Sequence, residues 1–269
     1  MGVVNVTPDS FADAGNRFDP ARAMDGALAL EAEGADIIDV GGESTRPGAE
    51  PLTAEEELAR VEPVLRGLGT RLRVPLSIDT YKARVAETAL DLGATIVNDI
   101  SALRYDSALA SIVARRRAVV VLMHTRGTPR EMYREAVYGD VVSEVRDELG
   151  RRCSAALEAG VAPDRVVLDP GIGFAKRAEH SFSILARLHE LADLGRPLLV
   201  GPSRKSFLAR AIGERTPLER EYGTAAAVAA CVLGGAHVVR VHGVGHMVDV
   251  VRVADMLRRD AGLDREGSP

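Results

Sequence analysis

Seven polar residues of this 269-residue chain occupy one kind of place, the end of an apolar, strand-like run just before a turn. They are Asn5, Asp79, Asn98, His124, Asp169, Lys205 and His242, with Arg240 inside the last such run. The clearest case is Val166-Val167-Leu168-Asp169-Pro170-Gly171-Ile172-Gly173-Phe174. Three residues of strand type run into a carboxylate, and a Pro-Gly turn stops the strand at once. Alone, such an Asp reads as a turn cap; several strands ending this way read as one site. Asp and Asn can pair with an amidine-like edge, while Lys205, Arg240 and His242 supply the donors and positive charge that phosphate recognition needs. The amide oxygen of Asn5 suits a hard cation, and Mg²⁺ usually accompanies a diphosphate. The chemistry implied is the binding of a polar, hydrogen-bond-rich, anionic ligand.

Other chemistries fit less well. His237, His242 and His246 make no zinc set, because His237 belongs to a different strand direction and no Cys or third His completes the ligands. Gly171-x-Gly173-x-x-Lys176 lacks the third glycine of a dinucleotide fingerprint and does not open the fold. The run Ser203-Arg204-Lys205 lies between a strand and a helix, which favours anion binding there over a solvated basic patch. A net charge of −5 gives no reason to expect nucleic acid or an anionic membrane surface. Cys153 and Cys231 sit in helical patterns among Ala and Val and read as reduced, packed thiols. No signal-like segment opens the chain, and the run from Ala225 to Ala236 is too short to span a membrane, so a cytoplasmic protein is expected.

The elements that must position these residues alternate regularly. Strand-like runs at Val3 to Val6, Asp36 to Val40, Val74 to Ile78, Thr95 to Val97, Ala118 to Met123, Val166 to Leu168, Pro197 to Val200 and His237 to Val241 are each followed by a helical pattern. One helix opens on the capping box Thr53-Ala54-Glu55-Glu56, and another carries Ile184, Leu188 and Leu191 on one face. The strands are mostly continuous apolar runs, as in a parallel sheet buried on both faces. Eight such units predict an α/β fold, a (β/α)₈ TIM barrel with its site at the C-terminal strand ends; a doubly wound open sheet is the alternative. No composition break marks a linker, so residues 1–259 read as one domain and 260–269 as a polar tail.

At eight strand ends the motifs resemble those of the dihydropteroate synthase family. They are Asn5-Val6-Thr7-Pro8-Asp9-Ser10-Phe11, Gly41-Gly42-Glu43-Ser44-Thr45-Arg46-Pro47-Gly48, Ser77-Ile78-Asp79-Thr80, Val97-Asn98-Asp99, Met123-His124 with Arg126-Gly127-Thr128-Pro129, Asp169-Pro170-Gly171-Ile172-Gly173-Phe174, Ser203-Arg204-Lys205-Ser206-Phe207 and Arg240-Val241-His242. The resemblance covers almost the whole chain in the family's order.

It implies a reaction that joins 6-hydroxymethyl-7,8-dihydropterin diphosphate to 4-aminobenzoate, giving dihydropteroate and diphosphate. By resemblance Asp79, Asn98, Asp169 and Lys205 hold the pterin, with Met123, Phe174 and Gly201 shaping its pocket. Arg240 flanks the pterin and, with His242 and Thr45, takes the diphosphate; Asn5 ligates Mg²⁺. Phe11, Pro47 and Ser203 form the aminobenzoate pocket, completed by Asp13 and Arg46. Dimers occur in the family, and an apolar face on the last two helices suits a homodimer. Arg240→Ala is expected to cripple turnover and leave the fold intact.

The chain also departs from the family. The first loop reads Ala12-Asp13-Ala14-Gly15 where Ser-Asp-Gly-Gly is common, so its flexibility is expected to differ. Gly243 follows His242 where an Asp is common, which predicts a less firmly held imidazole. The chain opens at the first strand, without the short segment that usually closes the barrel bottom in the family, which is compatible with a trimmed or a misassigned start. A pterin-binding methyltransferase domain is a weaker reading, having no need of the Ser44 to Gly48 loop or the Ser203-Arg204-Lys205 run. A non-catalytic pterin-binding paralogue would not need Asn5, Asp13, Arg46, Lys205 and His242 together.

Overall fold

Eight short parallel strands close into a ring in the computed structural model, which describes residues 1–7, 19–44, 48–128, 134 and 136–262. The strands are β1 Gly2–Asn5, β2 Ile38–Gly41, β3 Leu76–Asp79, β4 Ile96–Asp99, β5 Val119–Met123, β6 Val166–Asp169, β7 Leu199–Val200 and β8 Val238–Val239. β1 to β6 pair side by side in chain order, and β7 pairs with β8. Two parallel bridges, Leu168 with Leu198 and Gly2 with Val241, join the two ladders. The Leu168 amide donates to the Pro197 carbonyl at 2.9 Å, and the Val3 amide to the Val241 carbonyl at 3.1 Å. The fold is therefore a (β/α)₈ barrel, and among the described residues no strand is left as a free edge of the open-sheet kind.

Alternation along the strands separates two cores. Val4, Ile38, Val40, Ile78, Val97, Val120, Leu122 and Leu168 turn outward and pack with the helices in one large buried cluster. Met1, Ile96, Val121 and Leu199, with Ile37, Val119, Val167 and Val238 against them, form a separate cluster that fills the barrel interior. Side chains of alternate strands stack in such layers, so the interior is packed and not a pore. The polar strand-end residues sit above this apolar floor.

The helices follow from local chemistry. α1 (Pro20–Ala32) starts where the Asp19 carboxylate accepts from the Ala21 amide and Pro20 presets the backbone. α2 (Ala54–Leu68) carries the expected capping box: the Glu56 amide donates to Thr53 Oγ1 at 3.2 Å and the Thr53 amide to Glu56 Oε2 at 2.8 Å. α3 (Ala83–Asp91), α4 (Leu109–Arg116) and α5 (Val141–Glu158) follow β3, β4 and β5. The stretch after β6 divides into α6 (Ala178–Ala186) and a 3₁₀ segment (Leu188–Leu194), where one continuous helix was expected. Ile184, Leu188 and Leu191 are nonetheless all buried, so the apolar stripe survives the change of helical type. A short α7 (Ala209–Ile212) precedes α8 (Glu221–Leu233), and α9 (Val244–Asp260) is the last helix among the described residues. None of the described helices is long and apolar enough to cross a membrane.

Candidate active site

The C-terminal strand ends bring together Asp79 from β3, Asn98 from β4, Met123 from β5 and Asp169 from β6. Registry places Asp79 beside Asn98 and Met123 beside Asp169, so these four side chains share the inward alternation. Arg240, directly after β8, reaches across the barrel. Its Nη2 donates to Asp79 Oδ2 at 2.7 Å and its Nε to Asp39 Oδ2 at 2.7 Å. Lys205 Nζ donates to the Ile172 carbonyl at 2.5 Å and lies 4.6 Å from the centre of the Phe174 ring, a cation–π distance. Gly201 leaves room at this point, for a Cβ there would approach Arg240 Cβ at 3.7 Å and Lys205 Nζ at 3.8 Å.

Asp39 was not anticipated from the sequence. Fully buried in β2, it accepts from Asn98 Nδ2 at 3.0 Å as well as from Arg240. A lone acid within an apolar strand is the signal that was available, since a buried carboxylate requires a partner.

The electrostatics of the mouth are those of opposed charges held out of water. Burial pushes the Asp79 carboxyl up to about 7 against the pull of Arg240. Burial also raises Asp169, with Lys205 and the Gly171 amide opposing. Lys205 is pushed down to about 8, again by burial, with Asp169 resisting. Carboxyl and ammonium groups so displaced are poised to trade their mutual contacts for those of a ligand carrying both N–H donors and negative charge.

The loops around these residues are fixed by specific bonds. The Gly171 amide donates to Asp169 Oδ1 at 2.7 Å, which fixes the carboxylate at the strand end. Arg204 adopts a left-handed backbone, with φ of 59°. Its amide donates to Thr224 Oγ1 at 3.0 Å, its carbonyl accepts from Arg220 Nη1 at 3.0 Å, and its Nε pairs with Glu221 Oε2 at 3.0 Å. The start of α8 thus shapes the turn that delivers Ser203 and Lys205. Ser203 Oγ lies 3.0 Å from His242 Nδ1 and accepts from the His242 amide at 3.2 Å, so the imidazole is held in spite of Gly243. A Cβ at position 243 would meet Glu221 Oε1 at 2.4 Å; the space is taken by Glu221. Glu43 closes the base of the β2–α2 loop, accepting from the Leu52 amide at 2.9 Å, Tyr81 Oη at 2.6 Å and Lys82 Nζ at 2.5 Å.

His124 departs from expectation. Because Met123 takes the inward position, His124 faces the helices, where its Nε2 meets Glu148 Oε2 at 2.9 Å and its Nδ1 meets Lys176 Nζ at 2.8 Å. Lys176, 2% exposed, also donates to the carbonyls of His124 at 3.3 Å and Phe174 at 3.0 Å. This buried network pins the β6–α6 loop to the end of β5. Burial, assisted by the Lys176 charge, pushes His124 down to about 4. The native imidazole therefore stays neutral where an unfolded one takes up a proton, so the unfolded state binds more protons between about 4 and about 6.5. The resulting stability is complete above that window and is lost as pH falls through it, by about 3 kcal/mol. Carbon-detected NMR of the ring is expected to show no titration of His124 between pH 5.5 and 8; a midpoint near 6.5 would refute this.

Asn5 ends β1 beside Gly41 and is half-buried. Phe11, Asp13, Thr45, Arg46 and Pro47 lie outside the described residues. Among the described residues no three of His, Cys, Asp and Glu are placed to hold a metal ion.

Residues 1–242 match the profile of the family described as pterin binding enzyme. The chain is 45% identical over 259 residues to the dihydropteroate synthase of Synechocystis sp., covering 96% of this chain and 90% of that protein. It superposes with a TM-score of 0.90 on the dihydropteroate synthase of Clostridium difficile solved in the presence of pteroic acid, at 42% identity and 96% coverage of each chain. The Xanthomonas albilineans dihydropteroate synthase solved with 4-aminobenzoic acid gives a TM-score of 0.90 at 42% identity, covering 96% of this chain and 92% of that one.

Proposed function

The chain belongs to the pterin-binding enzymes, in their dihydropteroate synthase branch, and on that premise we propose how its residues divide the work of joining 6-hydroxymethyl-7,8-dihydropterin diphosphate to 4-aminobenzoate. The observation that carries the reading is the convergence of Asp79, Asn98, Asp169, Lys205 and Arg240 on one barrel mouth above an apolar floor. Asp169 faces the guanidine-like edge of the pterin, Asp79 and Asn98 take its remaining ring nitrogens, and Lys205 donates to its oxygen side. Met123, Phe174 and Gly201 wall the ring in. Arg240, His242 and Thr45 bind the diphosphate.

The C–O bond to the diphosphate breaks with its electron pair leaving on oxygen, and the electron-rich pterin carries the positive charge left at the methylene carbon. The 4-aminobenzoate nitrogen then forms the new C–N bond and gives up a proton. Arg240 and His242 stabilise the charge that grows on the departing group, and no covalent nucleophile is needed. Phe11, Pro47 and Ser203 hold the aminobenzoate, with Asp13 and Arg46 closing the site and excluding water.

The half-buried amide oxygen of Asn5, at the end of β1, would offer Mg²⁺ one hard, neutral ligand. Bound there, Mg²⁺ would neutralise charge on the diphosphate as it leaves. In this reading residues 1–259 work as one domain in the cytoplasm, with 260–269 as a tail. Val253, Met256 and Leu257, spaced along one face of α9 and each more than half exposed, are the surface on which a second copy would pair; a one-chain mass in light scattering would refute that pairing.

Purified protein given the pterin diphosphate and Mg²⁺ tests the central reading. Diphosphate release is expected to depend on 4-aminobenzoate, to match dihydropteroate formed, and to fall on chelation of the metal. Tight pterin binding without release would overturn it in favour of a binding protein.

A further inference from the structure

We infer that Asp39, beneath the ligand-facing residues, is a specificity-determining positioning residue that sets which way round Asn98 presents its donor and acceptor and in which plane Arg240 lies. The inference rests on the proposed pterin reading and extends it to a residue one layer deeper.

The geometry is that of a barrel layer. Asp39 and Asn98 come from the second and fourth strands and Arg240 directly follows the eighth, and alternate strands contribute side chains to the same level of a barrel interior. Asn98 therefore reaches Asp39 across β3, whose Ser77 is the register partner of Asp39.

A primary amide can be turned over without changing its shape, and an asparagine facing a ligand with two similar edges is then ambiguous. Here the ambiguity is removed. A carboxylate paired with a guanidinium accepts hydrogen bonds, so only the Asn98 nitrogen can face Asp39 Oδ2 at 3.0 Å. The oxygen and the second amide hydrogen of Asn98 are left for the ligand in a fixed order. That order fits a ring edge carrying an exocyclic N–H beside a ring-nitrogen acceptor, and it rejects the reversed order, in which two donors or two acceptors would meet.

The same carboxylate fixes Arg240. With Nε on Asp39 and Nη2 on Asp79, both at 2.7 Å, the planar guanidinium is held at two corners, and its remaining N–H groups have one direction left. Asp39 is 0% exposed, so a ligand in the mouth cannot reach it directly and it acts through Asn98 and Arg240. Its other oxygen, Oδ1, is buried and meets no partner among the described residues, so Asn98 and Arg240 account for the contacts that hold this carboxylate.

The first measurement is calorimetric binding of 6-hydroxymethyl-7,8-dihydropterin to the wild-type protein. Lack of binding there would bring down the proposed function, and this inference with it. Given wild-type binding, Asp39→Asn is expected to weaken affinity by about thirtyfold or more, because the neutral amide gives up the charge that holds the Asn98 nitrogen and Arg240 Nε on one oxygen. The double exchange Asp39→Asn with Asn98→Asp restores a carboxylate–amide pair of reversed polarity. It should regain the melting temperature lost by the single variant but not the pterin affinity, since the group facing the ligand has lost its donor. A merely structural role for Asp39 predicts near-wild-type affinity in folded Asp39→Asn, where Asn98 and Arg240 are themselves unchanged. Affinity within about threefold of wild type in either folded variant overturns the inference. Should neither variant fold, the ligand-free wild type decides: slow hydrogen exchange of the Asn98 side-chain amide supports the inference, and fast exchange overturns it.

Discussion

Arg240→Ala is expected to lower kcat/KM by about a thousandfold or more, as loss of a preorganised cationic donor does in phosphate-group chemistry. The variant is also expected to lose about 3–5 kcal/mol of stability, because the truncation leaves two acids without their cation. Asp39 is wholly buried and the Asp79 side chain is 14% exposed, so neither regains much water when the guanidinium goes. This revises the expectation that the fold would be untouched: a residue named for its ligand chemistry also closes an ion network in the barrel. Arg240→Lys separates the two roles. It keeps the charge, so most of the stability returns, but a single ammonium on a flexible stem cannot span Asp39 and Asp79 as the planar fork does. Steady-state kinetics well below the melting temperature, with urea unfolding of each variant, provide the check. Near-normal kcat/KM in folded Arg240→Ala would sink the assignment of the diphosphate site.

Gly171→Ala is the second change expected to have a large effect. Gly171 has φ of 67°, and a Cβ built there would lie 2.0 Å from the His124 carbonyl oxygen, a backbone atom that β5 holds in place. The left-handed conformation alone costs a non-glycine residue about 1 kcal/mol, and the collision forces the loop to move. Movement of that loop carries Asp169, whose Oδ1 accepts from the Gly171 amide, and Phe174, which lies beside Lys205. A total cost of about 3 kcal/mol or more is expected, a fall in Tm of about 10 °C in a chain of this size. Displacement of the carboxylate should lower kcat/KM by about a hundredfold. Gly195→Ala is the control. Its φ of 63° is similar, but nothing lies within 4 Å of the added Cβ, so only the conformational cost of about 1 kcal/mol remains. Equal losses in the two variants would show that the close approach to His124 has no consequence.

Much of the site was legible because polar residues that end apolar strands break a simple pattern. Asn5, Asp79 and Asp169 each close a strand of the barrel, and Asn98 and Met123 belong to the same rim. The turn chemistry of Pro170 and Gly171 and the capping box at Thr53 could likewise be read locally, since each acts over a few residues. Asp39 was not legible as a site residue. Its importance comes from Asn98 and Arg240, 59 and 201 residues away along the chain. His124 was legible as a strand-end residue but not as one that turns away from the mouth.

The sequence by itself determined the eight strand–helix units, the polar residues at their ends and the family they belong to, because periodicity, turn residues and motif order are properties of neighbours in the chain. The tertiary structure alone decided which strand-end side chains share an interior. Successive residues of a strand point to opposite faces, so a single step of register sends Met123 inward to Asp169 and His124 outward to Glu148 and Lys176. It alone also decided which charges neutralise one another, since closing the ring sets β8 against β1 and lets Arg240 reach Asp39 and Asp79 across the barrel.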